Sequence, residues 1–218
     1  MKVLVTGGGG FVGRDLIPRL AEAGHEVIAT SRNPHTTIPG ATVCDAGELG
    51  PDTNWAGILQ GVEAVIHLAA RVHVMNDTAA DPMAENRRIN TEGSAKLAND
   101  AAKAGVRHFI FLSTIKVNGK ATQSAPFKAD DTPQPQDPYA LAKWDAEQLL
   151  SEIAGENDLR LHIIRPPLVY GPGVRGNFLS LLKLCRHGLP LPVGGINNAK
   201  SLVYVGNLSD LICRTLLK

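Results

Sequence analysis

Lys2-Val3-Leu4-Val5-Thr6-Gly7-Gly8-Gly9-Gly10-Phe11-Val12-Gly13 is the stretch from which the rest of the chain can be read. A short β-rich run passes through four consecutive glycines into a segment, Phe11 to Ala23, with helical patterning. The run satisfies G-x-G-x-x-G from Gly8 and equally G-x-x-G-x-x-G from Gly7. Either register serves the same need. One glycine makes a tight turn, one lets the backbone approach a pyrophosphate, and one lets helix and strand pack closely. Free N–H groups at the helix start then hold the phosphates. Strand before and helix after are the context in which this motif has its mechanism, so Gly7, Gly10, Phe11, Val12 and Gly13 are expected to bind a dinucleotide.

The alternation continues outward from that loop. Val27-Ile28-Ala29, Ala64-Val65-Ile66, Phe109-Ile110-Phe111 and Leu161-His162-Ile163-Ile164 read as strands buried on both faces, as in a parallel sheet covered by helices. A short strand is expected around Thr42 to Cys44. Helices are expected over residues 83–104 and 138–154, with Gly24, Gly105 and Gly155 placed as C-caps. Asp137-Pro138 supplies an N-cap and a proline at the first helical position. Strands and helices joined by right-handed crossovers predict an α/β fold, a doubly wound parallel sheet of Rossmann type. The segments Asn33 to Asn54 and Asn118 to Gln136 are loops at the carboxyl edge, where function concentrates.

After Pro166 the rhythm weakens. A helix is expected near Phe178 to Arg186, then proline- and glycine-rich chain to Gly195. The expected division is a dinucleotide-binding domain over 1–166. Residues 167–218 begin a smaller substrate-binding region whose final helix packs back on the core. The apolar helical pattern breaks off at Leu216-Leu217-Lys218 without a stop signal, which reads as a truncated chain.

Composition narrows the partners. A net charge of +1 over 218 residues gives no field to collect nucleic acid or anionic lipid. No apolar run approaches the ~20 residues needed to cross a bilayer. The amino terminus runs straight into a strand without the apolar core of a signal peptide. Cys44, Cys185 and Cys213 are odd in number and widely spaced, so neither a disulfide framework nor a zinc site is indicated, and reducing cytoplasm is the expected compartment. His67 and His73 have no carboxylate or cysteine at ligand spacing, so no metal is expected, and His67 reads as a packed strand-end side chain. Arg71 and His73, in the loop after strand four, could face a substrate. Leu189-Pro190-Leu191-Pro192 reads as loop packing.

An acidic residue at the end of strand two would grip the ribose of NAD. The chain has Thr30-Ser31-Arg32 there. Arginine can pair with a 2′-phosphate, which tilts the cofactor from NAD toward NADP, although Arg32 is also readable as a solvated loop residue.

Tyr139 and Lys143 lie four residues apart at the start of a helix and share one face. A phenol of pKa ~10 is a poor base at neutral pH. A nearby ammonium, with the positive nicotinamide of an oxidised cofactor, would lower that value. Such a tyrosine can take a proton from a sugar hydroxyl or return one to a ketone. The hydroxyl of Thr114, at the carboxyl end of strand five, could hydrogen-bond the reacting oxygen. An isolated YxxxK is more often a surface pair; position after strand five gives this one its meaning.

With these features the chain resembles the extended short-chain dehydrogenase/reductases, in the NAD-dependent epimerase/dehydratase family to which UDP-glucose 4-epimerase belongs. The resemblance runs through TGGGGFVG at Thr6, HLAA at His67, INTEG at Ile89, FLST at Phe111, PYALAK at Pro138, RPPLVYGPG at Arg165 and SLVYVGNL at Ser201. It implies Thr114, Tyr139 and Lys143 as the catalytic hydroxyl, the proton-transfer tyrosine and its lysine, with Lys143 also holding the nicotinamide ribose. It implies Asn90 as the buried asparagine ordering that lysine and the site wall. Asp45 would lie near the adenine, and Ala69, Ala70 and Arg71 along the cofactor. Asn177 matches the position contacting the nucleotide-sugar diphosphate, and Lys200 stands where an arginine commonly grips it. The implied partner is a nucleotide-sugar, with a homodimer compatible with it.

The departures matter. Family dehydratases carry Asp-Glu directly after the catalytic threonine; here Ile115-Lys116 leaves no carboxylate pair for elimination. The asparagine often found after the sixth strand is Leu168, and the family's carboxyl-terminal segment that completes the sugar pocket is missing. The leading expectation is a nucleotide-sugar 4-epimerase acting on a UDP-hexose through a 4-keto intermediate. The alternative is an NADP-dependent 4-ketoreductase or 4-dehydrogenase of polysaccharide synthesis. A purely binding role is disfavoured because Tyr139 and Lys143 are both present.

Overall fold

The computed structural model describes residues 1–31, 33, 36–72, 81–122, 125–187, 195 and 199–217. Six parallel strands form one sheet: β1 Lys2–Thr6, β2 Glu26–Thr30, β3 Thr42–Cys44, β4 Ala64–His67, β5 His108–Leu112 and β6 Arg160–Ile164. Their order is β3-β2-β1-β4-β5-β6, so the chain winds one way from β1 and then crosses to wind the other. That reversal opens a crevice at the carboxyl ends of β1 and β4, where open α/β sheets bind ligands.

The two-residue period of each strand sorts its side chains between two apolar layers. Leu4, Val65, Phe109 and Phe111 pack on one side with Leu97, Ala101, Ala146 and Leu150. Val3, Val5, Ala64, Ile66 and Ile110 pack on the other with Leu16, Ile17, Leu20, Leu208 and Ile212. The first layer is covered by α3 (Gly93–Lys103) and α4 (Pro138–Glu156), the second by α1 (Phe11–Glu22) and α6 (Val205–Thr215). No described helix is long and apolar enough to cross a membrane.

Three features depart from the sequence expectations. The helix expected over 83–104 is α2 (Pro82–Asn86), a π-helical turn (Arg87–Glu92) and α3. The wider turn carries both Asn90 and Thr91, which are buried. Gly24 and Gly105 end their helices at φ of +82° and +81°. Gly155 does not, because α4 runs on to Glu156 and closes where the Asn157 side-chain amide donates to the Ile153 carbonyl at 2.7 Å. Finally, β7 (Leu168–Tyr170) and β8 (Leu202–Tyr204) pair in parallel as a separate ribbon, with the Tyr170 and Tyr204 rings 5.7 Å apart.

Candidate active site

The glycine loop is shaped by what surrounds it. Gly7 has φ +70°, and a Cβ there would stand 2.8 Å from the Ala69 nitrogen, against the end of β4. A Cβ on Gly13 would stand 2.5 Å from the Gly8 carbonyl oxygen. Any side chain at either position fills the cradle or pushes α1 off the loop. The end of β2 clamps the loop: Gly7 N–H donates to Thr30 Oγ1 at 3.3 Å and Gly8 N–H to the Thr30 carbonyl at 3.2 Å. Gly10 caps α1 without a side-chain hydrogen bond, so the first-turn N–H groups, including those near Phe11 and Val12, face the crevice for an anion. A side-chain-free cradle at the positive end of a helix fits the pyrophosphate of a dinucleotide.

Around the loop the expected cofactor residues fall at strand ends. Ser31 N–H donates to the Cys44 carbonyl at 3.2 Å, holding β2 to β3. Asp45, just beyond β3, is exposed and accepts from Gly47 N–H at 2.8 Å. Ala69 N–H donates to Thr6 Oγ1 at 3.2 Å, with Ala70 next to it at the crevice edge. Asn90 is buried; its side-chain oxygen accepts from Arg71 N–H at 2.7 Å and its amide donates to the Arg71 carbonyl at 3.0 Å. That pair of bonds orders the chain at Arg71, and a third, from the same amide to Asn86 at 3.1 Å, satisfies it. Arg32, His73 and Leu189-Pro190-Leu191-Pro192 lie outside the described residues.

His67 is a packed side chain, as its position suggested, and fully bonded. Ser94 Oγ donates to the Asn90 carbonyl at 2.6 Å and lies 2.9 Å from His67 Nε2. Nε2 must therefore carry the ring proton, leaving Nδ1 to accept from Thr6 Oγ1 at 2.6 Å. Burial, and the nearby Lys143 charge, push its pKa down to about 3, so the ring is neutral across the physiological range.

Thr114, Tyr139 and Lys143 come from the carboxyl end of β5 and the first turns of α4. Asp137 caps α4, accepting from Ala140 N–H at 2.8 Å. Tyr139 and Lys143 then point from one face of the helix. Thr114 opens a 3-10 turn, its Oγ1 accepting from Lys116 N–H at 3.3 Å. Lys143 is buried, its Nζ 3.8 Å from the centroid of the Phe111 ring. Burial lowers its pKa to about 7, against the opposing pull of Glu147.

The expected lowering of the phenol is not a property of the protein's own groups. Burial, then the Asp137 carboxylate, push Tyr139 up to about 12. Both causes penalise the phenolate. Tyr139 thus keeps its proton at neutral pH.

Sequence inspection missed what holds this face in place. Glu147, one turn beyond Lys143, is buried and bonds the Ser113 hydroxyl and the Arg165 guanidinium, which reaches it through Nε at 3.0 and 3.1 Å and also through Nη2. Arg165 Nη1 donates further to Asn118 Oδ1 at 3.1 Å. The spacing Tyr139, Lys143, Glu147 on one helical face was the available signal. Asn177, in the first turn of α5 (Gly176–Arg186), and Lys200, just before β8, are exposed on the elements flanking the β7–β8 ribbon.

Known proteins resemble the chain along nearly its whole length. The model of the NAD dependent epimerase/dehydratase family matches residues 3–218. A UDP-glucose 4-epimerase of Vibrio cholerae is 40% identical over 213 residues, which cover 97% of this chain and 65% of the relative. A 2-alkyl-3-oxoalkanoate reductase of Stenotrophomonas maltophilia is 31% identical, over 95% of this chain and 62% of the relative. The chain therefore spans somewhat less than two thirds of these relatives. Among solved structures, MoeE5 in complex with UDP-glucuronic acid and NAD superposes with a TM-score of 0.83 at 29% identity, covering 99% of this chain and 72% of that one.

Proposed function

The chain belongs to the NAD dependent epimerase/dehydratase family, and from that premise we propose that it serves a nucleotide-sugar 4-epimerase acting on a UDP-hexose. Residues 1–166 would hold the dinucleotide on Gly7, Gly10, Phe11, Val12, Gly13, Ser31, Asp45, Ala69, Ala70 and Arg71, with Asn90 ordering the wall. Residues 167–218 would begin the sugar-nucleotide side, with Asn177 and Lys200 toward the diphosphate. One observation carries the proposal: a half-buried phenol and a buried ammonium lie one turn apart on α4, the ammonium against Phe111 of β5.

When bound, the dinucleotide would supply the hydride acceptor, and then the hydride donor, for C4. The protein handles the proton. With an oxidised dinucleotide bound, its positive nicotinamide beside Lys143 would favour the phenolate. Tyr139 Oη would then receive the O4 proton as the C–O bond becomes a carbonyl, and return it when the carbonyl is reduced from the opposite face. The Thr114 hydroxyl bonds O4 and holds it against the phenol. Lys143, held against the Phe111 ring, would supply positive charge beside the phenolate. The absence of a carboxylate pair at Ile115-Lys116 leaves no acid for removing a C6 hydroxyl, which supports epimerisation over 4,6-dehydration.

A second reading, an NADP-dependent nucleotide-sugar 4-ketoreductase, draws on the phenol itself. A Tyr139 that is protonated at neutral pH already carries the proton that a ketone oxygen takes on reduction. Likeness to a reductase at 31% identity points the same way. The protein is to be incubated with UDP-hexoses without added dinucleotide. Interconversion of C4 epimers is the expected result. A strict requirement for stoichiometric NADPH, with alcohol formed from a 4-keto sugar, would instead establish the reductase.

A further inference from the structure

An ion pair joins the turn that follows Thr114 to the start of α4. Lys116 Nζ lies 2.8 Å from Asp137 Oδ2, across 21 residues of sequence. The pairs Asp15–Arg19, Lys96–Asp100 and Asp210–Arg214, by contrast, each stay within one helix. Both side chains of the Lys116–Asp137 pair are 39% exposed, and as a stabiliser such a pair is worth little. Its place between two catalytic elements is what distinguishes it.

Each end is tied to a catalytic group. Lys116 N–H donates to Thr114 Oγ1 at 3.3 Å. Asp137 Oδ1 accepts from Ala140 N–H at 2.8 Å and so caps the helix two residues before Tyr139. With Oδ1 on the cap, Oδ2 is the oxygen that meets the lysine. The same carboxylate acts on the Tyr139 phenol, where its charge adds to burial in disfavouring the phenolate. Lys143 supplies a cation from the next turn of α4. On the other segments packed against α4, Glu85 with Arg88, Arg87 with Glu92 and Lys96 with Asp100 are ion pairs of their own, and within the helix Glu147 pairs with Arg165. Lys103 and Arg160 stand at the amino edge of the sheet, the far end from Tyr139. Lys116 is thus the cation placed to offset Asp137.

We infer that Lys116 is a positioning residue for the proton-transfer step: by holding Asp137 it locks the Thr114 turn to the start of α4 and cancels the carboxylate beside the phenol. The inference deepens the proposed function and rests on Tyr139 as its proton-transfer group. Removing the ammonium alone leaves a bare carboxylate acting on the phenol, which disfavours the phenolate. Removing the carboxylate alone leaves a bare cation, which favours it. Removing both leaves neither charge. Asparagine caps a helix as well as aspartate, so Asp137→Asn changes the charge without loosening α4.

The test is the pH dependence of kcat/KM for wild type, Lys116→Met, Lys116→Arg, Asp137→Asn and the double variant Lys116→Met with Asp137→Asn. UDP-hexoses, and 4-keto sugars with NADPH, are the substrates. Ultraviolet absorbance of the phenolate, read against Tyr139→Phe with oxidised dinucleotide added, reports the same ionisation without turnover. The midpoint is expected to move up by about 0.5–1 pH unit in Lys116→Met and down by a similar amount in Asp137→Asn. At a fixed pH on the phenolate limb that is a change of about three- to ten-fold in kcat/KM. Lys116→Arg and the double variant are expected to return to the wild-type midpoint, which a loss of fold could not produce. Single variants that move the same way, a double variant displaced as far as either single, or no movement at all overturns the role of Lys116. If wild type turns over neither kind of substrate, the proposed function fails, while the absorbance titration still decides Lys116.

Discussion

The ammonium of Lys143 sits 3.8 Å from the centroid of the Phe111 ring, with Glu147 one helical turn away. The ring face and the carboxylate favour the charged form, yet burial wins and brings the pKa to about 7. This balance sets how the fold responds to pH.

Between pH 7 and the unfolded lysine value of ~10.4, the unfolded chain binds a proton that the folded chain does not. Stability attributable to Lys143 therefore rises as pH climbs through that window. Tyr139 runs the other way. Its folded value of about 12 exceeds the unfolded ~10, so the folded chain holds the extra proton and stability falls between them. Urea unfolding is expected to show stability rising by up to about 1 kcal/mol per pH unit toward pH ~10 and turning over above it. Lys143→Met should flatten the rise; an unchanged slope in that variant contradicts the assignment.

Glu147 is expected to be a stability hot spot. Its removal in Glu147→Ala leaves Arg165, whose side chain is 17% exposed, without its carboxylate and Ser113 without its acceptor. The expected loss is about 3–5 kcal/mol by denaturant unfolding. Glu147→Leu combined with Arg165→Met should recover most of it, since an apolar pair of similar volume removes both charges together. A single-variant loss below about 1 kcal/mol would show that the pair is as weak as a surface one.

The glycine loop should answer substitutions position by position. Gly13→Ala, with a Cβ 2.5 Å from a backbone oxygen, is expected to cost about 1–3 kcal/mol and to abolish dinucleotide binding. Gly9→Ala enters open space and should stay within about 0.5 kcal/mol of wild type. Thermal denaturation of the two variants side by side checks this; equal losses would mean that the loop is not held as described.

Much of this was legible in the residues because the relevant signals are local and strong. Continuous apolar runs marked five strands, and even the three-residue β3 at Thr42–Cys44 was placed. The glycine run marked the crevice. What stayed hidden depends on contacts distant in sequence. β7 and β8 are three residues each, too short for a period, and find each other across an intervening helix. The π turn, which carries the buried Asn90 and Thr91, leaves composition untouched. Gly155 carried a C-cap signal that Asn157 overrode. The direction of the Tyr139 shift needed burial, which spacing does not report.

The most direct test replaces Tyr139 by Phe and compares turnover of a UDP-hexose with wild type, after showing that both proteins hold equal dinucleotide. Removing the hydroxyl is expected to cut turnover by about 10²–10⁴-fold with dinucleotide affinity and fold unchanged. Turnover surviving at the wild-type rate would contradict proton transfer by this phenol and the chemistry assigned to α4.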